Sequence, residues 1–238
     1  MAEVSTLIVR KSMLQDYAMC PYKYYLRWIR KTPVQETYEA KIGRMFHNWA
    51  CKVMSELTPP LTHEDLLRYV DRTAVPELRD MMAWFIDLEW KRYRLLERLG
   101  KLELWKPLRL EWQVEAELMV GEHVFTAQGH IDRVDKDGNG GVILIEYKTT
   151  RGAHLTQWRR ELTYYAMIVE QLGYEVSYFV VINPMRREVY VERPNTYSRV
   201  ALIRLLRRFL TDTEFQPKPG GHCMFCDFRA ICPEVTRK

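Results

Sequence analysis

Three residues near the middle of the chain combine two carboxylates with an ammonium group. Asp132 ends one predicted strand, and Glu146 and Lys148 follow the apolar run 142–145 on the next. Side chains alternate along a strand, so Glu146 and Lys148 share a face. The Asp-, Asn- and Gly-rich turn 135–141 would bring Asp132 opposite them. Charges beside a buried strand are costly unless a metal ion or substrate compensates them. The pattern predicts a catalytic centre; a solvated, salt-bridged hairpin is the alternative.

A second set of reactive residues lies in the tail, where Cys223, Cys226 and Cys232 have the spacing C-x2-C-x5-C. An iron–sulfur cluster usually takes four thiolates, so Cys20 or Cys51 must supply the fourth. Cys51 falls on a predicted helix and is typical of a core thiol. We therefore expect Cys20 to complete a 4Fe-4S cluster. A four-cysteine zinc site usually has two C-x2-C pairs, and this chain has one, so iron–sulfur is favoured.

The composition narrows the class of protein. The chain has 238 residues, 47% of them hydrophobic, which is enough to bury a core in one domain. The net charge of +5 is compatible with a nucleic-acid partner. The sequence contains no apolar run long enough for a transmembrane helix, and segment 1–12 lacks the core of a signal peptide. We expect a cytoplasmic protein with no membrane partner, in which cysteines serve metal or redox chemistry.

The first hundred residues are predicted to form a helical lobe. The expected helices are 12–30, with Ser12 and Gln15 as a capping box; about 38–57; a third starting at Thr62 with Asp65; and a fourth from Pro76 to Gly100.

Beyond residue 103 the pattern changes to that of strands, with apolar residues alternating with Glu and Gln over 110–118. The expected strands are 110–118, 123–134, one beginning at Val142, 176–182 and 189–191, with helices over 155–173 and 196–210. This order predicts a sheet core at about 103–195, followed by a basic helix and a cysteine tail at 196–238. Residues 1–238 would form a single domain.

Two basic surfaces could contact DNA. On the first helix Lys23, Arg27 and Arg30 lie beside Tyr and Trp side chains, a combination suited to phosphates and stacked bases. The second surface, on the helix 196–210, comprises Arg204, Arg207 and Arg208. A solvated basic face over an aromatic core is the alternative for both.

Taken together, these segments resemble the RecB-like branch of the PD-(D/E)XK nucleases in its iron–sulfur form. That group includes the fourth family of CRISPR-associated (Cas) proteins and the nuclease domains of AddB-type helicase–nucleases. The segments, in the family's order, are the cysteine helix 12–30, GRMFHNW at 43–49, GHID ending at Asp132, IEYK ending at Lys148, the helix 155–173 in place of the Q-x-x-x-Y motif, and the triple-cysteine tail. The resemblance covers most of the chain. It implies an α+β, restriction-endonuclease-like fold, in which helices flank a mixed sheet.

The resemblance also implies the ligands of a catalytic metal. These are His47, Asp132, Glu146 and the main-chain carbonyl of Tyr147, a set suited to magnesium or manganese. Lys148 would orient the attacking water or stabilise charge in the transition state.

The sequence departs from the family's motifs at two positions. Ile131 stands in place of the proline of the PD pair, a change that the RecB-like branch often shows. Glu161 stands in place of the glutamine of Q-x-x-x-Y and is a candidate DNA contact, with Tyr165 in register to help position the DNA strand. A carboxylate there would repel a phosphate or approach a metal, whereas an amide would donate a hydrogen bond. Gln157, one turn earlier, is the alternative.

These features predict a metal-dependent DNA exonuclease acting on single-stranded ends. In the fourth Cas family this activity trims DNA fragments before they are integrated as spacers, so CRISPR integrase proteins are expected partners. The alternatives are a stand-alone viral or DNA-repair exonuclease of the same fold, a non-catalytic iron–sulfur DNA-binding subunit, and a zinc-stapled nucleic-acid-binding protein.

Overall fold

A six-stranded mixed sheet forms the centre of the structure, a computed structural model that describes residues 7–236. The strands are β1 (Ile8–Arg10), β2 (Arg109–Val120), β3 (His123–Lys136), β4 (Val142–Tyr147), β5 (Val176–Asn183) and β6 (Glu188–Glu192). Their order is β1-β3-β4-β5-β6. Strands β1 and β4 pair with different parts of one edge of β3, and β2 pairs with the opposite edge. The pairs β1–β3 and β4–β5 are parallel, and the others are antiparallel. The predicted mixed sheet flanked by helices is confirmed.

The turn between β3 and β4 is closed by one aspartate. The backbone N–H groups of Asn139 and Gly141 both donate to Asp137 Oδ1, at 2.7 and 2.9 Å. Gly138 and Gly140 have φ values of +82° and +102°, which residues with a Cβ rarely adopt. This turn sets the β3–β4 register that the active-site hairpin was predicted to have.

Helices cover both faces of the sheet. They are α1 (Lys11–Met19), α2 (Pro21–Tyr24) with the π-helical turn Tyr25–Ile29, α3 (Tyr38–Glu56), α4 (His63–Thr73), α5 (Arg79–Arg98), α6 (Leu155–Gln171), α7 (Thr196–Thr211) and the short α8 (Pro233–Thr236). The predicted Thr62–Asp65 capping box is present at the start of α4. None of the helices between residues 7 and 236 has the length and apolar character needed to cross a membrane.

The prediction of one continuous helix over 12–30 is wrong. The backbone at Cys20 is extended (φ −158°, ψ 117°), and the chain restarts as α2 at Pro21. Proline has no N–H to donate within a helix and is best accommodated in a first turn, which accounts for the break. The predicted Ser12–Gln15 capping box is also absent, because Arg10 is the N-cap of α1 and makes no side-chain cap.

The hydrophobic core is divided between the two faces of the sheet. Leu144 of β4 packs with α6 and α7, whereas Ile145 and Tyr147 pack with α3 and α5. Alternation along β4 therefore places Glu146 on the α6 face, beside the start of that helix.

The helical lobe is anchored to β3 by a buried ion network centred on Arg133. This residue is 0% exposed, and its guanidinium binds Asp135 through two nitrogens, at 2.8 and 2.7 Å. It also donates to Glu89 Oε1 of α5 at 2.6 Å. Burial raises the pKa of Glu89, but Arg133 and Arg92 outweigh this effect and hold that pKa below its usual value. Glu89 therefore stays ionised because the two arginines are present.

Replacing Arg133 by methionine should therefore lower the free energy of unfolding by about 3–5 kcal/mol, because Glu89 and Asp135 would keep buried charges without a full partner. Urea denaturation monitored by circular dichroism measures this change. The control is Arg68→Met, which removes the exposed pair with Asp65 and should leave the free energy of unfolding nearly unchanged, because water screens that pair. Equal losses in the two variants would contradict the anchoring role.

Candidate active site

An open cleft of about 1470 Å³ lies between α3, the middle of β3 and the end of β4. His47, Asp132, Glu146, Tyr147 and Lys148 all line it. The structure thus brings together residues that the sequence had placed in three separate segments.

Asp132 connects β3 to both β4 and α3. Its Oδ2 accepts a hydrogen bond from the backbone N–H of Tyr147 at 2.7 Å, and its Oδ1 lies 3.2 Å from His47 Nδ1. Burial disfavours a charge on His47, but the hydrogen bond and the negative charge of Asp132 outweigh burial and raise the pKa of the imidazole. The carboxylate therefore holds the imidazole towards the cleft.

Glu146 is 2% exposed, and its two oxygens have different surroundings. Oε1 accepts from Lys11 Nζ at 2.7 Å and from Lys148 Nζ at 2.9 Å. Oε2 is buried and has no hydrogen-bond partner. Burial opposes ionisation, yet the two ammonium groups lower the pKa of Glu146 to about 2. Glu146 is thus a carboxylate in which one oxygen accepts two hydrogen bonds and the other accepts none.

The helix α6 supplies a third carboxylate. Glu161 Oε2 accepts from Lys148 Nζ at 2.7 Å, and Gln157 Nε2 donates to Glu161 Oε1 at 3.0 Å. Glu161 and Gln157, the two candidates for the glutamine position of the Q-x-x-x-Y motif, are thus hydrogen-bonded to each other. Lys148 thus donates to both Glu146 and Glu161.

Tyr165, one turn after Glu161, is fixed against β3. Its hydroxyl donates to the carbonyl of His130 at 2.6 Å. A Cβ on Gly129 would lie 2.7 Å from the Tyr165 ring, so only glycine allows this approach. Gly43 is similar on α3, since a Cβ there would lie 3.0 Å from Thr149 Oγ1. Gly129 of GHID therefore sets the distance between α6 and β3, and Gly43 of GRMFHNW lets α3 lie close to Thr149, after the end of β4.

Two residues of the site were missed by sequence reasoning. Lys11 begins α1 and lies far from the hairpin in sequence. Glu111 lies on β2 between Leu110 and Trp112, which pair with Arg133 and Ile131 of β3, and it has a left-handed φ of +46°. Its Oε2 is 3.1 Å from His130 Nε2, and its Oε1 is buried without a partner. Neither residue is marked as functional by the sequence around it. Glu111, for example, belongs to the same alternating pattern as the exposed Glu115 and Glu117.

The predicted cluster cysteines lie where the first helical segment meets the tail. Cys20 Sγ accepts from the Lys218 N–H at 3.3 Å, and Cys223 Sγ accepts from the Gly220 N–H at 3.4 Å. Burial raises the pKa of Cys226, and the nearby Cys20 adds to this effect. The pKa of Cys51 is also raised by burial, but the neighbouring charges are those of Glu111 and Asp132. The charges that act on Cys51 are thus those of residues around the candidate site, and not those of the other cysteines.

The predicted basic surfaces differ in how accessible they are. Lys23 lies 3.4 Å from both Asp16 and Asp227, and Arg27 pairs with the same two carboxylates at 3.1 and 2.5 Å. The remaining residues of the two surfaces are exposed: Arg30, Arg204, Arg207 and Arg208. Within residues 7–236, the cleft is lined by a different basic set, Arg10, Lys11, Lys148 and Arg151.

Comparison with known proteins identifies the family. The model of the PD-(D/E)XK nuclease superfamily matches residues 11–233. The chain belongs to this superfamily. Two curated relatives, both named CRISPR-associated exonuclease Cas4, are similar over part of the chain. The Aeropyrum pernix protein is 32% identical over 119 residues, 44% of this chain and 58% of its own length. The Saccharolobus solfataricus protein is 29% identical over 128 residues, 52% of this chain and 61% of its own length.

The chain thus spans about three-fifths of the length of the curated relatives it matches. Among solved structures, the crystal structure of SSO0001 aligns with 95% of this chain and 86% of its own, at 17% identity and a TM-score of 0.44. A likeness at that score supports no conclusion about this member of the PD-(D/E)XK superfamily.

The donor atoms of this superfamily member fit a hard divalent cation. Among residues 7–236, no three His, Cys, Asp or Glu side chains converge closely enough to hold a metal ion as they stand. Glu146 Oε2 is nevertheless an unpartnered, buried carboxylate oxygen, which is costly to leave without compensation. Asp132 and His47 lie beside it in the same cleft. This oxygen-rich set with one imidazole suits magnesium or manganese.

Gly129 offers a test of how closely α6 must approach β3 in this PD-(D/E)XK protein. Gly129→Ala should lower the free energy of unfolding by about 1–3 kcal/mol, because the new Cβ displaces the Tyr165 ring. The control is Gly221→Ala, where a Cβ would meet nothing within 4 Å. Chemical denaturation measures both. Equal stability of the two variants would show that the ring can move without cost.

Proposed function

We propose that this protein is a metal-dependent DNA nuclease whose active site is the cleft around Glu146. The observation that carries the proposal is the asymmetry of this carboxylate. Two lysines saturate Oε1, while the buried Oε2 is left without a partner in a cleft shared with Asp132 and His47. Membership of the PD-(D/E)XK nuclease superfamily supports the same chemistry.

The cation would be held by His47, Asp132, Glu146 and the main-chain carbonyl of Tyr147. When bound, magnesium or manganese polarises the scissile phosphate and lowers the pKa of an attacking water. The hydrogen bond from the Tyr147 N–H orients Asp132, and Asp132 in turn orients His47. The ligand set is thus held by contacts within the protein.

Lys148 is the residue that we assign to the reacting groups. Its ammonium lies 2.9 Å from Glu146 Oε1 and 2.7 Å from Glu161 Oε2, at the wall of the cleft. Burial disfavours its charge, but Glu146 and Glu161 outweigh burial and raise the pKa of Lys148. A permanently charged ammonium can orient a water by hydrogen bonding and stabilise negative charge on the phosphate.

The substrate that we propose is DNA with single-stranded ends. Tyr165 would help to position the DNA strand, because its hydrogen bond to the carbonyl of His130 fixes the backbone of β3 beside the cleft. Glu161 was predicted to contact the substrate, and its contact with Lys148 indicates an indirect role. Arg10 and Arg151, which line the cleft, are the basic groups that we propose for phosphates. Arg30 and the arginines of α7, together with the paired Lys23 and Arg27, stay secondary candidates.

The cellular role that we propose is the processing of DNA fragments for CRISPR spacer acquisition, with integrase proteins as partners. The two Cas4 exonucleases to which the chain is similar support this role. A stand-alone viral or DNA-repair exonuclease of the same fold is the second candidate. Integrase genes adjacent to the gene for this protein would support the first candidate, and their absence would favour the second.

Lys148→Ala should slow manganese-dependent degradation of labelled single-stranded DNA by roughly 100-fold to 1000-fold, the loss typical of removing one such stabilising donor. The measurement is single-turnover kinetics on a gel. The control is Lys91→Ala on the exposed face of α5, which should not change the rate.

Linear and circular single strands of one sequence separate exonuclease from endonuclease action. Degradation of the linear form alone supports the exonuclease proposal. Equal degradation of both forms excludes it. A wild-type protein that binds DNA but degrades neither form would indicate a non-catalytic subunit.

We further propose a 4Fe-4S cluster held by Cys20, Cys223, Cys226 and Cys232. N–H groups donate to the sulfurs of Cys20 and Cys223, as is common for cluster thiolates. The pairs of Arg27 and Lys23 with Asp227 bring the tail to the first helical segment. The cluster would have an architectural role, because these cysteines lie away from the residues that line the cleft.

Anaerobically purified protein should be brown and absorb broadly near ~400 nm. Cys20→Ser should lose iron and this absorbance, whereas Cys51→Ser should keep both, because Cys51 lies within α3 and is influenced by Glu111 and Asp132 rather than by the other cysteines. Metal analysis and the visible spectrum provide the measurement. Stoichiometric zinc without iron in the wild type would exclude the cluster and favour a zinc-stapled tail.

A further inference from the structure

Lys11 is a half-buried cation of the candidate active site that the sequence does not mark. It is the first residue of α1 and directly follows β1, which pairs in parallel with residues 126–128 of β3. That pairing places the start of α1 at the cleft wall, and Lys11 lines the cleft. Its side chain is 22% exposed, whereas that of Glu146 is 3% exposed.

The contacts of Lys11 duplicate those of Lys148. Lys11 Nζ lies 2.7 Å from Glu146 Oε1 and 3.6 Å from Glu161 Oε2, and 5.1 Å from the centre of the Tyr165 ring. Lys148 Nζ lies 2.9 and 2.7 Å from the same two oxygens. Two ammonium groups and two carboxylates thus form one cluster in which each cation is within 4 Å of both anions.

The charge of Glu161 explains why two lysines are needed. Glu146 and Glu161 are both 2% exposed, and a buried carboxylate without a matching cation is strongly destabilising. Lys148 alone balances one of the two. The amide of Gln157 donates to Glu161 Oε1 but carries no charge. Lys11 supplies the second positive charge.

We propose that Lys11 is a positioning residue of the nuclease centre. It neutralises Glu161 and, together with Lys148, holds Oε1 of Glu146, so that Oε2 is the oxygen left for a divalent cation. This inference rests on the proposed metal-dependent function. It adds that the affinity for the cation depends on the balance between Lys11 and Glu161.

This balance predicts that removing the charge of Lys11 and removing the charge of Glu161 change the affinity for Mn²⁺ in opposite directions. Lys11→Gln removes a positive charge near the cation site, so Mn²⁺ should bind on the order of tenfold more tightly. Glu161→Gln removes a negative charge, so Mn²⁺ should bind on the order of tenfold more weakly. In the double variant K11Q/E161Q the two changes should largely cancel, and its dissociation constant should lie within about threefold of the wild type.

The experiment measures Mn²⁺ affinity without DNA, from the electron paramagnetic resonance signal of free Mn²⁺ during titration of the full chain at pH 8. Lys11→Arg keeps the charge and should keep the wild-type affinity, and Lys91→Met on α5 controls for the loss of a lysine elsewhere. Loss of packing alone would not tighten Mn²⁺ binding. Should K11Q not fold, weak binding by E161Q and its recovery in the double variant provide the same test.

Three outcomes separate the inference from the proposed function. Shifts of opposite sign that cancel in the double variant support the inference. Unchanged affinity in K11Q, with binding lost in Glu146→Gln, overturns the role of Lys11 and leaves the metal-dependent nuclease standing. No binding of Mn²⁺ to the wild type overturns both.

Discussion

The arrangement of the cleft depends on keeping the buried carboxylate of Glu146 ionised. A charge so fully removed from water costs several kcal/mol unless partners replace its hydration. Those partners come from two distant parts of the chain, Lys11 at the start of α1 and Lys148 at the end of β4. The parallel pairing of β1 with β3 is what brings α1 to this point. One carboxylate thus links the N-terminal segment to the centre of the sheet.

Strand β3 is held from both faces by side chains of consecutive residues. Asp132 faces the cleft, where it contacts His47 and the backbone of Tyr147. Arg133 faces the helical lobe, where it binds Glu89 and Asp135. Because neighbouring residues of a strand point to opposite faces, neither can move without the other. The buried network on the lobe side therefore fixes the position of a carboxylate on the cleft side.

The sequence allowed the sheet, most helices and the hairpin of Asp132, Glu146 and Lys148 to be predicted, because each depends on local periodicity or turn residues. Lys11 and Glu111 could not be predicted in this way. Lys11 reaches the site through a three-residue strand too short to leave a period, and Glu111 shares its alternating pattern with exposed glutamates. The break at Cys20 was signalled by Pro21, but the apolar pattern around it favoured one long helix. The positions of these residues depend on contacts between segments far apart in sequence, which local patterns do not show.

Glu161 shows how such a contact changes the meaning of a motif position. A carboxylate in place of an amide would make the site more negative, and beside Glu146 alone it would be hard to ionise. With Lys11 and Lys148 present, the four charges cancel. Asp132 is then the carboxylate whose charge faces the cleft without an ammonium contact, since its partners are His47 and a backbone N–H. The attraction of the cleft for a cation therefore comes from Asp132 and from the oxygen of Glu146 that has no hydrogen-bond partner. The positive charges of Arg10 and Arg151 lie at the wall of the cleft, where a phosphate would pass.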